Sequence, residues 1–260
     1  MSEKILSKIK VLYEDSNILA IDKPSGILVH PDGREKDPST SLRTSKTILD
    51  WAVKKFPKAE LVHRLDKETS GVMLIAKNKK AHEFLKSQFK DRKIKKIYHA
   101  IVSGNVKNER GIINKPIGRS PRDFRRWLAG RGARGELREA ITEYRVLKRF
   151  TVSACENFSG SSLKGSHTDK NLAHTAPFTY LEVRPKTGRT HQIRVHMKYL
   201  NHPVVCDSLY NPDNPCPKGI SRVALHAKSI EFKNLKGEIV KIESPIPKEF
   251  KEITPDVGRL

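Results

Sequence analysis

Val72 to Ala76 are five consecutive apolar residues, Val-Met-Leu-Ile-Ala, between Gly71 and Lys77. A run this short, without polar alternation, predicts a strand buried on both faces. Asn17 to Ile21 is a second short apolar run. It ends at Asp22-Lys23-Pro24-Ser25-Gly26 and reads as a strand entering a Pro/Gly turn. Gly26 to His30 reads as a further extended piece that stops at Pro31, and residues 32–46 read as a polar loop. Ile97 to Val102, closed by Gly104, predicts another strand. Ala140 to Leu147 and Phe178 to Arg184 alternate apolar and polar residues, the pattern of half-buried strands. Val223 to Leu225, Ile230 to Phe232 and Ile239 to Ile242 read as late short strands. Helical spacing occurs at Thr47–Phe56, after the potential cap Asn78, and at Thr190–Leu200. In the second of these, Ala81, Phe84, Leu85 and Phe89 share a face. Apolar strands with a few helices, and no regular βαβ rhythm, predict an α+β chain.

The 260 residues carry 51 Lys and Arg against 29 Asp and Glu, a net charge of +22. At 37% hydrophobic, the chain is apolar enough for a packed core, which excludes a mainly disordered chain. Its length excludes a small stapled scaffold. Such a surplus repels itself in a compact state and points to a polyanionic partner, nucleic acid above all. Residues 115–138 concentrate it. Phe124 and Trp127 lie among Arg122, Arg125, Arg126 and Arg131, and Lys115, Arg119 and Arg134 complete the predicted RNA-binding set. Basic and aromatic residues together suit a nucleic-acid strand, although a solvated loop has the same composition.

The three cysteines, Cys155, Cys206 and Cys216, cannot all pair and form no CxxC, so no disulfide framework is expected and a reducing cytoplasm fits. No zinc spacing is present, and neither metal nor cofactor is expected. The charged N-terminus lacks the apolar core of a signal peptide, and no stretch is long and apolar enough for a membrane span. Asn157-Phe158-Ser159 matches a glycosylation sequon, by chance in a cytoplasmic protein. Residues 155–176, rich in Ser, Gly, His, Asn and Lys, predict a surface insertion.

Two polar segments could carry chemistry. Leu61 to Gly71 packs His, Arg, Asp, Glu, Thr and Ser ahead of the buried strand. Arg184 to Met197 is dense in cations. If helical from Thr190, it sets His191, Arg194 and Lys198 on one face and Ile193, Met197 and Leu200 on another. Such a helix can deliver an arginine to a carboxylate, or it can be an ordinary amphipathic basic helix.

His63-Arg64-Leu65-Asp66, followed by Thr69-Ser70-Gly71, resembles the active-site motif of the RluA family of RNA pseudouridine synthases. Residues 14–31 are similar to that family's opening motif, 96–104 to its tyrosine motif, 140–144 to a later strand and 187–197 to its arginine motif. His202 to Asp207 and Leu225-His226-Ala227 are similar to two late signatures. The matches run in family order over roughly residues 11–245. The resemblance implies one catalytic domain over 11–250, with a short extension at 1–10, the insertion at 155–176 and a tail at 251–260. Its fold would be a central mixed, mainly antiparallel sheet flanked by helices and loops around an active-site cleft. The resemblance begins near residue 11, which leaves no room ahead of it for the S4 domain of some relatives, so RNA affinity is expected in the catalytic domain itself.

The implied reaction isomerises uridine in RNA to pseudouridine: the glycosidic N–C bond breaks, the uracil turns, and C5 joins the ribose. Asp66 would be the catalytic carboxylate and Arg194 its partner, favouring the charged form. Whether Asp66 attacks the ribose or removes a proton is open. Tyr98 would pack on the target base and handle the C5 proton. Arg64 would enter the RNA as the base flips out. His63, Thr69, Arg189, His191 and Leu225 complete the expected substrate contacts. Alternatively, Thr69 and Ser70 only form the turn presenting Asp66, and Leu225 and Ile193 belong to the core. The expected partner is RNA, large-subunit ribosomal RNA ahead of transfer RNA, bound by a monomer. A non-catalytic RNA-binding protein is the remaining alternative.

Overall fold

A computed structural model of the protein describes residues 6–31, 47–155 and 175–254. The loop expected at 32–46, nearly all of the 155–176 insertion, the sequon and the end of the tail lie outside the described residues. In chain order the elements are β1 (Lys10–Glu14), β2 (Ile18–Lys23), α1 (Ile48–Lys55), β3 (Glu60–Leu61), β4 (Ser70–Ala76), α2 (Lys79–Lys90) and β5 (Lys95–Ser103). Then come β6 (Arg110–Asn114), β7 (Ile117–Arg119), β8 (Trp127–Ala129), β9 (Arg134–Arg138), β10 (Ile141–Cys155) and β11 (Thr175–Pro185). The last are α3 (Gln192–Tyr199), β12 (Cys216–Pro217), β13 (Leu225–Lys233), β14 (Ile239–Glu243) and α4 (Lys248–Ile253). Mainly antiparallel strands with a few helices make this an α+β fold. The chain forms two compact units, Met1–Tyr98 with His226–Pro245, and His99–Leu225 with Ile246–Leu260. Two of the divisions fall within β5 and at the start of β13, and the third at Pro245, between β14 and α4.

In the first unit the strands run β1-β2-β4-β13, with β3 also on β4 and β14 on β13. All seven residues of β4 are buried, the five of its apolar run as the sequence predicts. It pairs antiparallel with β2 from Ile18 opposite Ala76 to Lys23 opposite Gly71, and parallel with β13 at Ser70–His226 and Gly71–Ala227. Helix α1 opens on a capping box between Thr47 and Asp50, and buries Ile48 and Ala52. Helix α2 opens on Asn78, whose side chain accepts from the Ala81 amide. Its buried positions are Ala81, Leu85 and Gln88, not Phe84. Gln88 can be buried because its amide exchanges two hydrogen bonds with the Lys233 backbone, both 2.9 Å.

Two sequence expectations in this unit change. Gly26 to His30 is not a strand: the Leu28 and Val29 carbonyls accept from the Ile48 and Leu49 amides, so this backbone serves the start of α1 instead of a ladder. The strand expected at 223–225 is absent apart from Leu225, which opens a β13 that runs on through 230–232, because polar His226, Lys228 and Ser229 do not interrupt the ladder.

In the second unit, 15-residue β10 pairs antiparallel with β11, from Thr142–Pro185 to Ser153–Thr175. β6 and β12 also pair with β10, and β5 adjoins β11. The basic segment is not a loop. β7, β8 and β9 form a three-stranded antiparallel sheet, with β7 in the middle. All five residues of β9 are exposed, so the sequence shows no alternation there. Helix α3 is shorter than expected and is not a solvated basic helix, since Gln192 to Met197 are all buried. Cys206 and Cys216 form a disulfide, contrary to expectation. Pairing is decided by proximity, and their Cα atoms lie 5.3 Å apart across a turn of ten residues. Among the described residues, no helix is long and apolar enough to cross a membrane.

Candidate active site

Asp66 stands on the loop that leads into β4, and the loop is held from below. Lys23 is fully buried, and its ammonium donates to the carbonyls of Pro24 (3.0 Å), Lys67 (3.0 Å) and Thr69 (2.8 Å). The Gly26 amide also donates to Lys67 O (2.9 Å), and Ser25 Oγ to Glu68 O (2.7 Å). The Pro24-Ser25-Gly26 turn is thereby bound to residues 67–69. The Thr69 amide closes the turn on the Asp66 carbonyl at 3.1 Å. Thr69 and Ser70 are buried, and Ser70 Oγ lies 2.9 Å from His226 Nδ1. Gly71 has φ +110°, and a β-carbon there would lie 2.2 Å from the Ala227 carbonyl oxygen. Only glycine fits this close parallel approach.

The neighbours of Asp66 in the motif have separate tasks. His63 Nε2 accepts from the Leu74 amide at 2.9 Å, and its ring lies 4.8 Å from Phe89. Burial, with the Lys96 charge second, pushes its pKa down to about 3. The ring is therefore neutral and braces β4 by its backbone. Arg64 is exposed and donates from Nη1 to His30 Nε2 at 3.1 Å, while His30 Nδ1 donates to the Pro31 carbonyl at 2.9 Å. Tyr98 packs against the core of this unit. Burial, with the Asp66 charge second, raises its phenol above the ordinary value, so it keeps its proton at neutral pH. Burial lowers the Lys96 ammonium to about 8.

The second unit holds the remaining predicted residues. Arg194 Nε and Nη2 donate to the two oxygens of Asp207 at 2.6 and 2.8 Å, and Asp207 is fully buried. Asp207 also accepts from the Leu209 and Tyr210 amides, at 3.0 and 3.1 Å. The Tyr210 ring lies 5.0 Å from the Arg194 guanidinium, and its hydroxyl lies 2.9 Å from His191 Nδ1. Gln192 holds the segment ahead of α3: its amide donates to Ile141 O and Thr142 Oγ1, and accepts from Thr187 Oγ1 and the Arg189 amide. Arg189 Nε donates to the Glu139 carbonyl at 2.9 Å. Leu225 is buried at 3% exposure.

Lys115 and the arginines of the basic segment lie on and around the small sheet. Arg119 lies 4.4 Å from the Trp127 ring, Arg125 and Arg126 ion-pair with Asp123, and Arg122, Arg131 and Arg134 are exposed.

Asp66, Tyr98, Arg64, His63 and Thr69 thus share the first unit, and Arg194, Arg189, His191 and Leu225 the second. Sequence reasoning missed Lys23, His30, Gln192, Asp207 and Tyr210 as their supports. Asp207 and His30 sit in quoted motifs, but neither motif names the arginine each one holds.

Residues 17–199 match the family model for RNA pseudouridylate synthase. Among curated relatives, ribosomal large subunit pseudouridine synthase D of Xanthomonas campestris pv. campestris is 36% identical over 257 residues, covering 94% of this chain and 68% of that protein. The protein of the same name from Pseudomonas aeruginosa is 35% identical over 255 residues, covering 94% and 70%. An uncharacterized RNA pseudouridine synthase of Aquifex aeolicus is 35% identical over 258 residues, covering 94% and 72%. The chain thus spans about two thirds of the length of such relatives. Among solved structures, human RNA pseudouridylate synthase domain containing 1 superposes with a TM-score of 0.68 at 24% identity, over 93% of this chain and 85% of that one, a likeness of fold.

Proposed function

The chain belongs to the RNA pseudouridylate synthase family and is an RNA pseudouridine synthase, and on that premise we propose that it modifies large-subunit ribosomal RNA with Asp66 as its catalytic carboxylate. The names of the Xanthomonas and Pseudomonas relatives support the choice of RNA. The loop carrying Asp66 supports the choice of residue, because a buried ammonium fixes its backbone at the Lys67 and Thr69 carbonyls. A carboxylate that must meet one ribose carbon, or one proton, gains from such a rigid mount.

The other roles follow from the chemistry of each group. Tyr98, held as a phenol, stacks on the displaced uracil and relays the C5 proton. Arg64 occupies the space that the flipped base leaves in the RNA. Arg194 is the counter-charge to Asp66, its guanidinium plane set by Asp207. His63 and Thr69 shape the Asp66 loop, and Arg189, His191 and Leu225 line the substrate side. The surface cations around Lys115 to Arg134 hold the RNA backbone. The enzyme works as a cytoplasmic monomer without metal or cofactor, and transfer RNA stands second as substrate. Wild-type protein incubated with unmodified ribosomal and transfer RNA transcripts should convert discrete uridines in the ribosomal RNA. Asp66→Asn should bind the transcript and make no product. Product at the wild-type rate from Asp66→Asn would remove Asp66 from the mechanism.

A further inference from the structure

The turn between β7 and β8 is built around an aromatic side chain presented to solvent. Phe124 is 67% exposed and is flanked in sequence by Arg122, Arg125 and Arg126. The backbone beneath it is fixed. The Ser120 amide donates to Arg126 O (3.0 Å), and the Arg126 amide to Asp123 O (2.9 Å). Ser120 Oγ accepts from the Arg122 and Asp123 amides, both at 3.3 Å, and Asp123 Oδ1 accepts from the Arg125 amide at 2.9 Å. Arg119 braces the tip from inside, with Nη1 donating to Phe124 O at 3.1 Å and its guanidinium over Trp127. A turn ordered before binding loses little entropy when it meets a ligand.

The same turn is tied to the arginine motif. The Trp127 amide donates to the Tyr210 hydroxyl at 3.0 Å, and the Tyr210 ring lies against Arg194. The position of Phe124 is therefore fixed relative to Arg194 through one tyrosine.

We propose that this turn is a base-stacking element: Phe124 lies against an unpaired base of the RNA beside the target uridine, and the neighbouring arginines engage the flanking phosphates. Stacking tolerates any base, because every base has a π face. The element therefore selects a structural context, a target in a loop or bulge with an unstacked neighbour, and not a particular sequence. It deepens the reading of the chain as an RNA pseudouridine synthase and rests on it.

Wild type, Phe124→Ala, Phe124→Trp and Phe124→Leu are compared for binding to an unmodified large-subunit ribosomal RNA transcript across a salt series, and for pseudouridine formation at subsaturating RNA. Phe124→Ala should weaken binding by about tenfold with the salt slope unchanged, since no phosphate contact is removed. Phe124→Trp should restore binding and Phe124→Leu should not. Wild-type affinity in Phe124→Ala overturns the proposal, as does full rescue by Leu, which would mean simple apolar contact. A defect seen only on assembled ribosomal particles would assign Phe124 to a protein and also overturn it. If wild type forms no pseudouridine in any RNA yet Phe124→Ala still weakens binding as described, the enzymatic reading fails and the stacking element stands.

Discussion

Arg194 and Asp207 form a bidentate ion pair at 2.6 and 2.8 Å, and both side chains are buried. Removing Asp207 takes the bidentate carboxylate from a buried guanidinium. Asp207→Ala should lose about 3–5 kcal/mol of stability in denaturant melts. Turnover should fall as well, because the guanidinium loses the partner that sets its plane. An Asp207→Ala protein as stable as wild type would show that the pair contributes nothing.

Lys23→Met keeps an unbranched side chain and removes three charge-assisted bonds, two of them beneath residues 67–69 and one to the Pro24 carbonyl. We expect a loss of about 3 kcal/mol, since hydrogen bonds to charged groups contribute roughly 1.5–3 kcal/mol each and methionine recovers some apolar packing. Turnover should drop more than RNA affinity, because the carbonyls mount Asp66 and not a phosphate contact. Equal losses in both would argue that the whole unit had loosened.

Stability should rise with pH in two windows. Unfolded His63 takes a proton near 6.5, whereas the folded ring takes one only near 3, so acidification between these values favours the unfolded chain. Folded Lys96 loses its proton near 8 and unfolded lysine near 10.5, so the burial penalty on its charge is relieved as pH climbs from 8 to 10.5. Each group contributes at most about 1.4 kcal/mol per pH unit within its window. Urea melts of wild type, His63→Gln and Lys96→Met separate the two. The acid limb should flatten most in His63→Gln and partly in Lys96→Met, which removes the neighbouring charge, and the alkaline limb in Lys96→Met.

His30 and Arg64 should be energetically coupled during turnover on structured RNA. His30→Ala frees the Arg64 side chain from its 3.1 Å hydrogen bond, and Arg64→Ala removes the group itself. A double-mutant cycle in kcat/KM should return a coupling of about 0.5–1 kcal/mol, with the single changes slowing structured RNA more than a single-stranded substrate. Strictly additive effects would make the hydrogen bond incidental.

Elements with strong local signals were legible in the sequence. The apolar run at 72–76, the Asn78 cap and the Thr47 helix start declare themselves within a few residues. So did the segments holding Asp66, Tyr98 and Arg194. What was not legible depends on partners far away in sequence. Nothing near Lys23 says that its ammonium is buried on carbonyls 44 and 46 residues later. Helix α3 read as amphipathic because His191, Arg194 and Lys198 share one face, yet Arg194 and the neighbouring His196 are buried. Their burial depends on Asp207, Thr142 and Lys115, none of them within α3. The small basic sheet was hidden because an exposed strand such as Arg134–Arg138 has no buried face to impose a period of two.

The parallel pairing of Ser70 with His226 joins residues 156 positions apart. At a synthesis rate of about 5–20 residues per second, roughly 8–30 seconds pass between their additions to the chain. Throughout that interval the nascent polypeptide carries the complete His63–Gly71 motif without the strand that belongs beside it. The β13 side of β4, a strand with five apolar residues in a row, is then an open edge, the kind that pairs with the wrong partner. A ribosome-bound intermediate halted before residue 226 should therefore be inert and prone to aggregate, and the enzyme comes into being only as β13 emerges.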